Sequence, residues 1–179
     1  SPSPYPSPIP TVATTLPSAV VTSLDRAGEW EKALQIFERC RSNFESGDFS
    51  CKPDVSFYTA AISAAGKGYQ TDTALAILDQ MSGGDAPVRP NARAFNAALS
   101  ACERTARCDD ALDLLARMTL MKGVSPSTVS FNIIIATFAR AGRYEDCLRV
   151  LDEMAQYGAE PDRMSYTRWA LHTIFNSRH

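Results

Sequence analysis

Thr128 to Asp162 reads TVSFNIIIATFARAGRYEDCLRVLDEMAQYGAEPD, and the two apolar patterns inside it decide the fold. Phe131, Ile134, Ile135 and Phe138 recur at i, i+3, i+4 and i+7, which puts four large apolar groups along one helical face. Ala141 and Gly142 break that pattern. A second helix begins at Tyr144 and carries Cys147, Leu148, Leu151 and Met154 before Gly158 and Pro161 stop it. The stretch is a helical hairpin. A hairpin this small cannot bury both apolar faces by itself, so copies of it should be stacked alongside.

The copies are present. Pro161, Pro126, Pro90 and Pro53 lie 35, 36 and 37 residues apart, Met154, Met118 and Met81 lie 36 and 37 apart, and Cys147, Ala111 and Ala74 repeat those two spacings. Three concordant ladders predict an all-α solenoid of antiparallel hairpins. Its units are residues 55–91, 92–127 and 128–162, preceded by an irregular unit at 17–54 and followed by a half unit or capping helix at 163–179. The first helices carry Tyr58, Ala61, Ile62 and Ala65, then Phe95, Ala98, Leu99 and Cys102. The second helices carry Ala74, Leu75, Leu78 and Met81, then Cys108, Ala111, Leu112, Leu115 and Met118. Tyr166, Trp169, Ala170 and Thr173 continue the spacing in the half unit. Residues 1–16 open with SPSPYPSPIP, whose alternating prolines favour an extended polyproline II tail or linker.

Composition excludes more than it assigns. A formal net charge of -2 gives no global signal for a polyanion partner, so charge placement has to carry any such argument. Five cysteines at positions 40, 51, 102, 108 and 147 have neither zinc-type pairing nor the density of a disulfide scaffold, and read as small hydrophobes. No apolar run approaches the roughly 20 residues needed to span a bilayer. The two histidines, His172 and His179, lack a paired base or metal-ligand spacing, so neither catalysis nor a cofactor is expected. No targeting segment is recognisable in this chain.

With the apolar faces assigned to packing, function belongs on the polar stripe of each first helix. Residues spaced by four give Ser18, Thr22 and Arg26; Thr59, Ser63 and Lys67; Asn96, Ser100 and Arg104; and Asn132, Ala136 and Arg140. Equivalent helices of a stack line one wall, so these stripes should run side by side. A row of cations beside amides and hydroxyls suits a single nucleic-acid strand, the cations neutralising phosphates and the polar groups bonding base edges. A cation in the last turn of a helix is also favoured by the helix dipole alone, by about 0.3–1 kcal/mol. Most acidic residues, among them Asp72, Asp79, Asp109, Asp110 and Asp113, fall on the second helices, which predicts a basic inner wall and an acidic outer one.

Over residues 55–162 the pattern resembles the pentatricopeptide repeat family, hairpins of 35 residues that bind single-stranded RNA mostly in mitochondria and chloroplasts; VSFNIIIATFARAGRYEDCLRVLDEMAQYGAEPD follows the family pattern throughout. In that family the fifth residue of a repeat and its last residue choose the base. The resemblance therefore implies base-reading pairs Thr59 with Asn91, Asn96 with Ser127, and Asn132 with Asp162, favouring adenine, cytosine and uracil along a strand running 5' to 3' with the chain. Ser18 with Asp54, beside Arg26, forms an extra pair that departs from the pattern through Pro17 and a long exit loop. The second residue of a family repeat sandwiches bases; Val129 matches it, whereas Ser56 and Arg93 do not. Lys67, Arg104 and Arg140 are the phosphate-binding candidates. The resemblance implies an organellar RNA binder that takes no small-molecule substrate and needs neither cofactor nor metal. Two other readings remain open at this point, a protein-interaction scaffold of tetratricopeptide type and the substrate-positioning arm of a larger RNA-processing enzyme.

Overall fold

The computed structural model describes residues 17–47, 53–83, 88–167 and 170. Among them the chain forms eight α-helices, α1 Pro17–Ala27, α2 Trp30–Glu45, α3 Val55–Lys67, α4 Thr71–Ser82, α5 Ala92–Thr105, α6 Cys108–Leu120, α7 Thr128–Arg140 and α8 Tyr144–Met154, with a 3-10 turn at Ala155–Tyr157 and no strand. Residues 163–167 are again helical. The prolines that mark the repeat stand immediately before the helix starts. Each is followed by a residue whose side chain can close the first turn. Asp54 accepts the Phe57 N–H at 2.7 Å, Asn91 accepts the Ala94 N–H at 3.0 Å, and Asp162 accepts the Ser165 N–H at 2.9 Å. Ser127 and Ser130 close α7 with a reciprocal capping box.

The turn inside each hairpin is one motif used four times. Glu29, Gln70, Arg107 and Arg143 donate their N–H groups to the carbonyls of Leu24, Ala65, Cys102 and Phe138, five residues back, which is the closing bond of a Schellman turn. The residue before each donor takes a left-handed backbone. Gly28 and Gly142 do so freely at φ 79° and 75°, but Tyr69 at 57° and Ala106 at 55° carry a Cβ there. Replacing Tyr69 or Ala106 by Gly is therefore expected to stabilise the fold, by about 0.5–1 kcal/mol each, because an L side chain in this region costs about 1–2 kcal/mol and glycine returns part of that as unfolded-state entropy. Chemical denaturation reads the shift; a lower midpoint for both variants would show that the turns are not strained.

The stack has two unlike layers. In the inner layer the first helices pack directly on one another, α1 on α3, α3 on α5 and α5 on α7. In the outer layer α2, α4, α6 and α8 each pack on their own first helix, and α2, α4 and α6 also on the next one, with no direct packing between second helices among the described residues. Small residues explain the close inner contacts, since Ala60, Ala61, Ala64, Ala94, Ala98, Ala101 and Ala139 are all buried. Arginine bridges span the gaps of the outer layer. Arg107 pairs with Asp72 of the preceding hairpin and with Asp110 of its own, Arg143 repeats this with Asp109 and Asp146, and Arg117 reaches Asp79 at 2.6 Å. A stack tight along one side and splayed along the other curves toward the tight side, so the first helices line its concave face.

The first-helix core is as the period predicts, with Tyr58, Ala61, Ile62, Ala65, Phe95, Ala98, Leu99, Cys102, Phe131, Ile134, Ile135 and Phe138 all buried. The second helices differ from expectation by one position. Leu112 is 38% exposed, Leu148 is 47% exposed, and Leu75 is half-buried, while Ile77, Leu114 and Val150 take their places in the core. The buried stripe is Ala74, Ile77, Leu78 and Met81 and its equivalents; the residue after each small one lies about 100° round the helix, toward the more open outer side, where Leu75 still packs partly against the core. Cys102, Cys108 and Cys147 are free and buried, as small hydrophobes should be, whereas Cys40 departs from that reading and is disulfide-bonded. The proline-rich tail at 1–16, the loop residues 48–52 and 84–87, and the half-unit positions Trp169 and Thr173 lie outside the described residues. Among the described residues no helix is long and apolar enough to cross a membrane.

Candidate nucleic-acid interface

One groove on the concave face gathers polar residues of the first three stripes, while Asn132 and Arg140 of the fourth, and the cations Lys67 and Arg104, lie outside its lining. Its lining includes Thr22 and Arg26 from α1, Thr59 and Ser63 from α3, Asn96 and Ser100 from α5, and Asn91 from the connection before α5. The second residues of three successive units, Ser56, Arg93 and Val129, line the same groove. Val129 is 58% exposed, an apolar β-branched side chain on a helix whose other large apolar groups are mostly buried. Ser18, on the first turn of α1, and Asp54, an exposed helix cap, both lie outside this lining.

The three remaining pairs differ in how they are joined. Asn132 Nδ2 donates to Asp162 Oδ1 at 3.2 Å, a direct bond between first and last reading positions. Asn96 and Ser127 are linked through a third residue. Ser130 Oγ donates to Asn96 Oδ1 at 2.7 Å and lies 3.5 Å from Ser127 Oγ. Thr59 and Asn91 face the same groove but are satisfied separately, Thr59 donating its hydroxyl to the Val55 carbonyl at 2.7 Å and Asn91 capping α5. Thr59, Asn96 and Asn132 are all half-buried, so each keeps part of its surface open. The Asp162 carboxyl is held below its usual range, first by the Ser165 N–H and further by the Asn132 amide and the Ser165 hydroxyl, which keeps it an acceptor in neutral and mildly acidic solution.

The cations are not equivalent. Lys67 does not present the free ammonium that the stripe suggests. Its Nζ donates to the Asp25 carbonyl at 2.5 Å and lies 3.0 Å from Asp25 Oδ1, while Ser63 Oγ holds Asp25 Oδ2 at 3.1 Å. Asp25 is buried in the groove wall, an acid on a first helix where most acids fall on second helices. Arg140 repeats the relation more loosely, 3.8 Å from Glu103 of the preceding hairpin. Gly66 occupies the position equivalent to Asp25 and Glu103, so Arg104 meets no carboxylate from the hairpin before it. Arg26 and Arg104 are exposed and carry no ion pair among the described residues. Residue spacing alone could not separate these cases, because each partner lies 37 to 42 residues away.

Burial pushes the Cys102 thiol up to about 12 and the Cys147 thiol up to about 11, so neither supplies a thiolate at neutral pH. Among the described residues no three His, Cys, Asp or Glu side chains converge as a metal site would require.

Comparison with known proteins agrees with this architecture. Residues 76–140 match the pentatricopeptide repeat domain and residues 126–168 match the PPR repeat family. Among solved structures, pentatricopeptide repeat protein PPR10 in complex with an 18-nt psaJ RNA element is similar over 92% of this chain at 28% identity and a TM-score of 0.76; a second structure, PPR10 from maize, gives 19% and 0.74 over 90%. The PPR domain of Arabidopsis thaliana protein-only RNase P 1, in complex with tRNA, is similar over 90% of this chain at 16% identity and a TM-score of 0.70. The chain spans 22–23% of PPR10 and 82% of the RNase P domain. No curated protein matches it in sequence. Stacked hairpins of this length, register and capping, matched by two family models along overlapping stretches that together run from 76 to 168, mean that the chain belongs to the pentatricopeptide repeat family.

Proposed function

We propose that this chain binds single-stranded RNA in the concave groove, one base per hairpin, without catalysing a reaction, and that it serves organellar RNA metabolism in a mitochondrion or chloroplast. Thr59 with Asn91, Asn96 with Ser127 and Asn132 with Asp162 choose the bases, and Val129 and Arg93 pack against their faces. The observation that carries this reading is the shared groove: Thr59, Asn96, Asn91 and the three second-position side chains open onto one surface. That PPR10 and the RNase P domain were solved with RNA supports the same reading. Arg104 and Arg140 hold phosphates, with Lys67 contributing only when it leaves Asp25. Three ordered bases supply on the order of 3–9 kcal/mol before ordering and association costs, so three hairpins alone bind weakly.

Selection from a random RNA pool tests the assignment. Enrichment of adenine, cytosine and uracil at consecutive positions is expected, and Asn132→Thr should move one of them from pyrimidine toward purine. An unstructured output, or binding to an acidic peptide instead, would remove the proposal.

Charge variants should move in opposite directions. Arg104→Ala is expected to weaken all sequences alike and to flatten the slope of log K against log salt by about 0.7, one phosphate contact on a single strand. Asp25→Asn, which frees Lys67, should tighten binding and steepen the slope by a similar amount. Titrations at several salt concentrations read both, and equal slopes for both variants would mean that no phosphate lies at either cation.

A further inference from the structure

Two serines behind the groove have no role in the reading above. Ser130 and Ser165 are both fully buried, and each stands at the third residue of the hairpin that follows the amide it touches. Ser165 Oγ accepts the Asp162 N–H at 3.1 Å and lies 2.5 Å from Asn132 Oδ1. Ser130 Oγ accepts the Ser127 N–H at 3.2 Å and lies 2.7 Å from Asn96 Oδ1. A hydroxyl has one proton to give. The oxygen accepts the backbone N–H, and of the acceptors in reach the asparagine carbonyl is the nearer, at 2.5 Å against 3.1 Å to Asp162 Oδ1 for Ser165 and 2.7 Å against 3.5 Å to Ser127 Oγ for Ser130, so the proton goes chiefly there. At Asn132 the orientation is forced a second time, because the Asp162 carboxylate accepts only and must face Nδ2.

We infer that Ser130 and Ser165 are positioning residues for base selectivity: each fixes the reading amide of the preceding hairpin with Oδ1 turned inward and Nδ2 toward the groove. This rests on the RNA-binding reading. A fixed amide offers donors, and so selects a base that presents a carbonyl oxygen. A free one turns over and offers either donor or acceptor. The unit that reads a base thus crosses the hairpin boundary and borrows a buried hydroxyl from the next repeat. The pair Thr59 and Asn91 lacks the device, since Ala94 stands at the equivalent third position and is equally buried.

The experiment uses the full chain and short RNAs that differ only at the nucleotide facing Asn96, located as the position whose preference changes in Asn96→Ala. Ser130→Ala is expected to reduce cytosine-over-adenine discrimination there by about 3–10-fold, the worth of one hydrogen bond, since adenine is the base without a carbonyl oxygen. Discrimination at the nucleotide facing Asn132 should stay as it was, and Ser130→Thr should restore what Ser130→Ala loses. A role confined to capping α7 would lower stability without changing which base is preferred at one position. A gain-of-function pair decides the matter if Ser130→Ala does not fold: Thr59→Asn/Ala94→Ser should discriminate more sharply than Thr59→Asn alone. Undiminished discrimination in Ser130→Ala, or equal discrimination in the pair, overturns the inference and leaves the RNA-binding reading intact. Failure of the unaltered chain to bind any RNA overturns that reading, and this inference with it.

Discussion

Replacing Phe131 by Ala is expected to cost about 3–5 kcal/mol, the range for truncating a fully buried aromatic. Phe131 is 0% exposed, its ring centroid 5.6 Å from that of Tyr157, in a helix that packs on α5, α6 and α8. In a globule such a loss lowers one global transition. In a stack each hairpin depends only on its neighbours, so the fourth hairpin should open first while α3 and α5 keep their contacts. Amide exchange distinguishes the two outcomes: protection should fall in α7 and α8 and persist in α3. Leu120→Ala provides the contrast, since Leu120 is 86% exposed and should change stability by no more than about 0.5 kcal/mol. Uniform loss of protection along the chain would show that the hairpins do not fold as a linear array. On the proposed function, Phe131→Ala also removes the base read by Asn132 and weakens the choice at Asn96, whose partners Ser127 and Ser130 close α7, while the base read by Thr59 stays.

The sequence disclosed those elements whose signal is local. The 3.6-residue period placed the first-helix core at Phe131, Ile134, Ile135 and Phe138 because that face is buried on every repeat. The prolines and the capping residues after them marked the helix starts for the same reason. On the second helices the period allowed two stripes, and choosing Leu112 and Leu148 over Leu114 and Val150 required knowing that the outer layer is splayed. Tyr69 and Ala106 show the same limit at turns: the left-handed position is filled without glycine, so its usual marker is missing. At the groove, the stripes were legible as spacing, but the state of each cation was not. Asp25 neutralises Lys67 across 42 residues, and a change from Asp to Gly at the equivalent position 66 leaves Arg104 open. The serines that orient Asn96 and Asn132 look in sequence like ordinary first-turn hydroxyls, because capping is the only part of their work that is local.

Gly66 is the position at which packing and the groove depend on one missing side chain. A Cβ built there would lie 3.1 Å from the Ala101 Cβ and 3.3 Å from its Cα, and the second of these is backbone that cannot rotate away. Gly66→Ala should be close to neutral, since about 1 kcal/mol of helix propensity offsets a shift of a few tenths of an ångström. Gly66→Leu cannot be accommodated that way. Its side chain has to push α5 from α3, at a cost of about 1–3 kcal/mol from overpacking. The functional effect is expected to be of similar size. Thr59 and Asn96 stand on the two helices that would separate, and a strand whose successive bases fit their present spacing would lose one of those contacts, worth about 1–3 kcal/mol or roughly 5–150-fold in affinity. An RNA long enough to engage only Asn96 and Asn132 should bind Gly66→Leu as it binds the unaltered chain, because α5 and α7 move together. Comparing the two RNAs on one folded variant isolates spacing from stability, and equal weakening of both would mean that the distance between inner helices does not set the register of the bound strand.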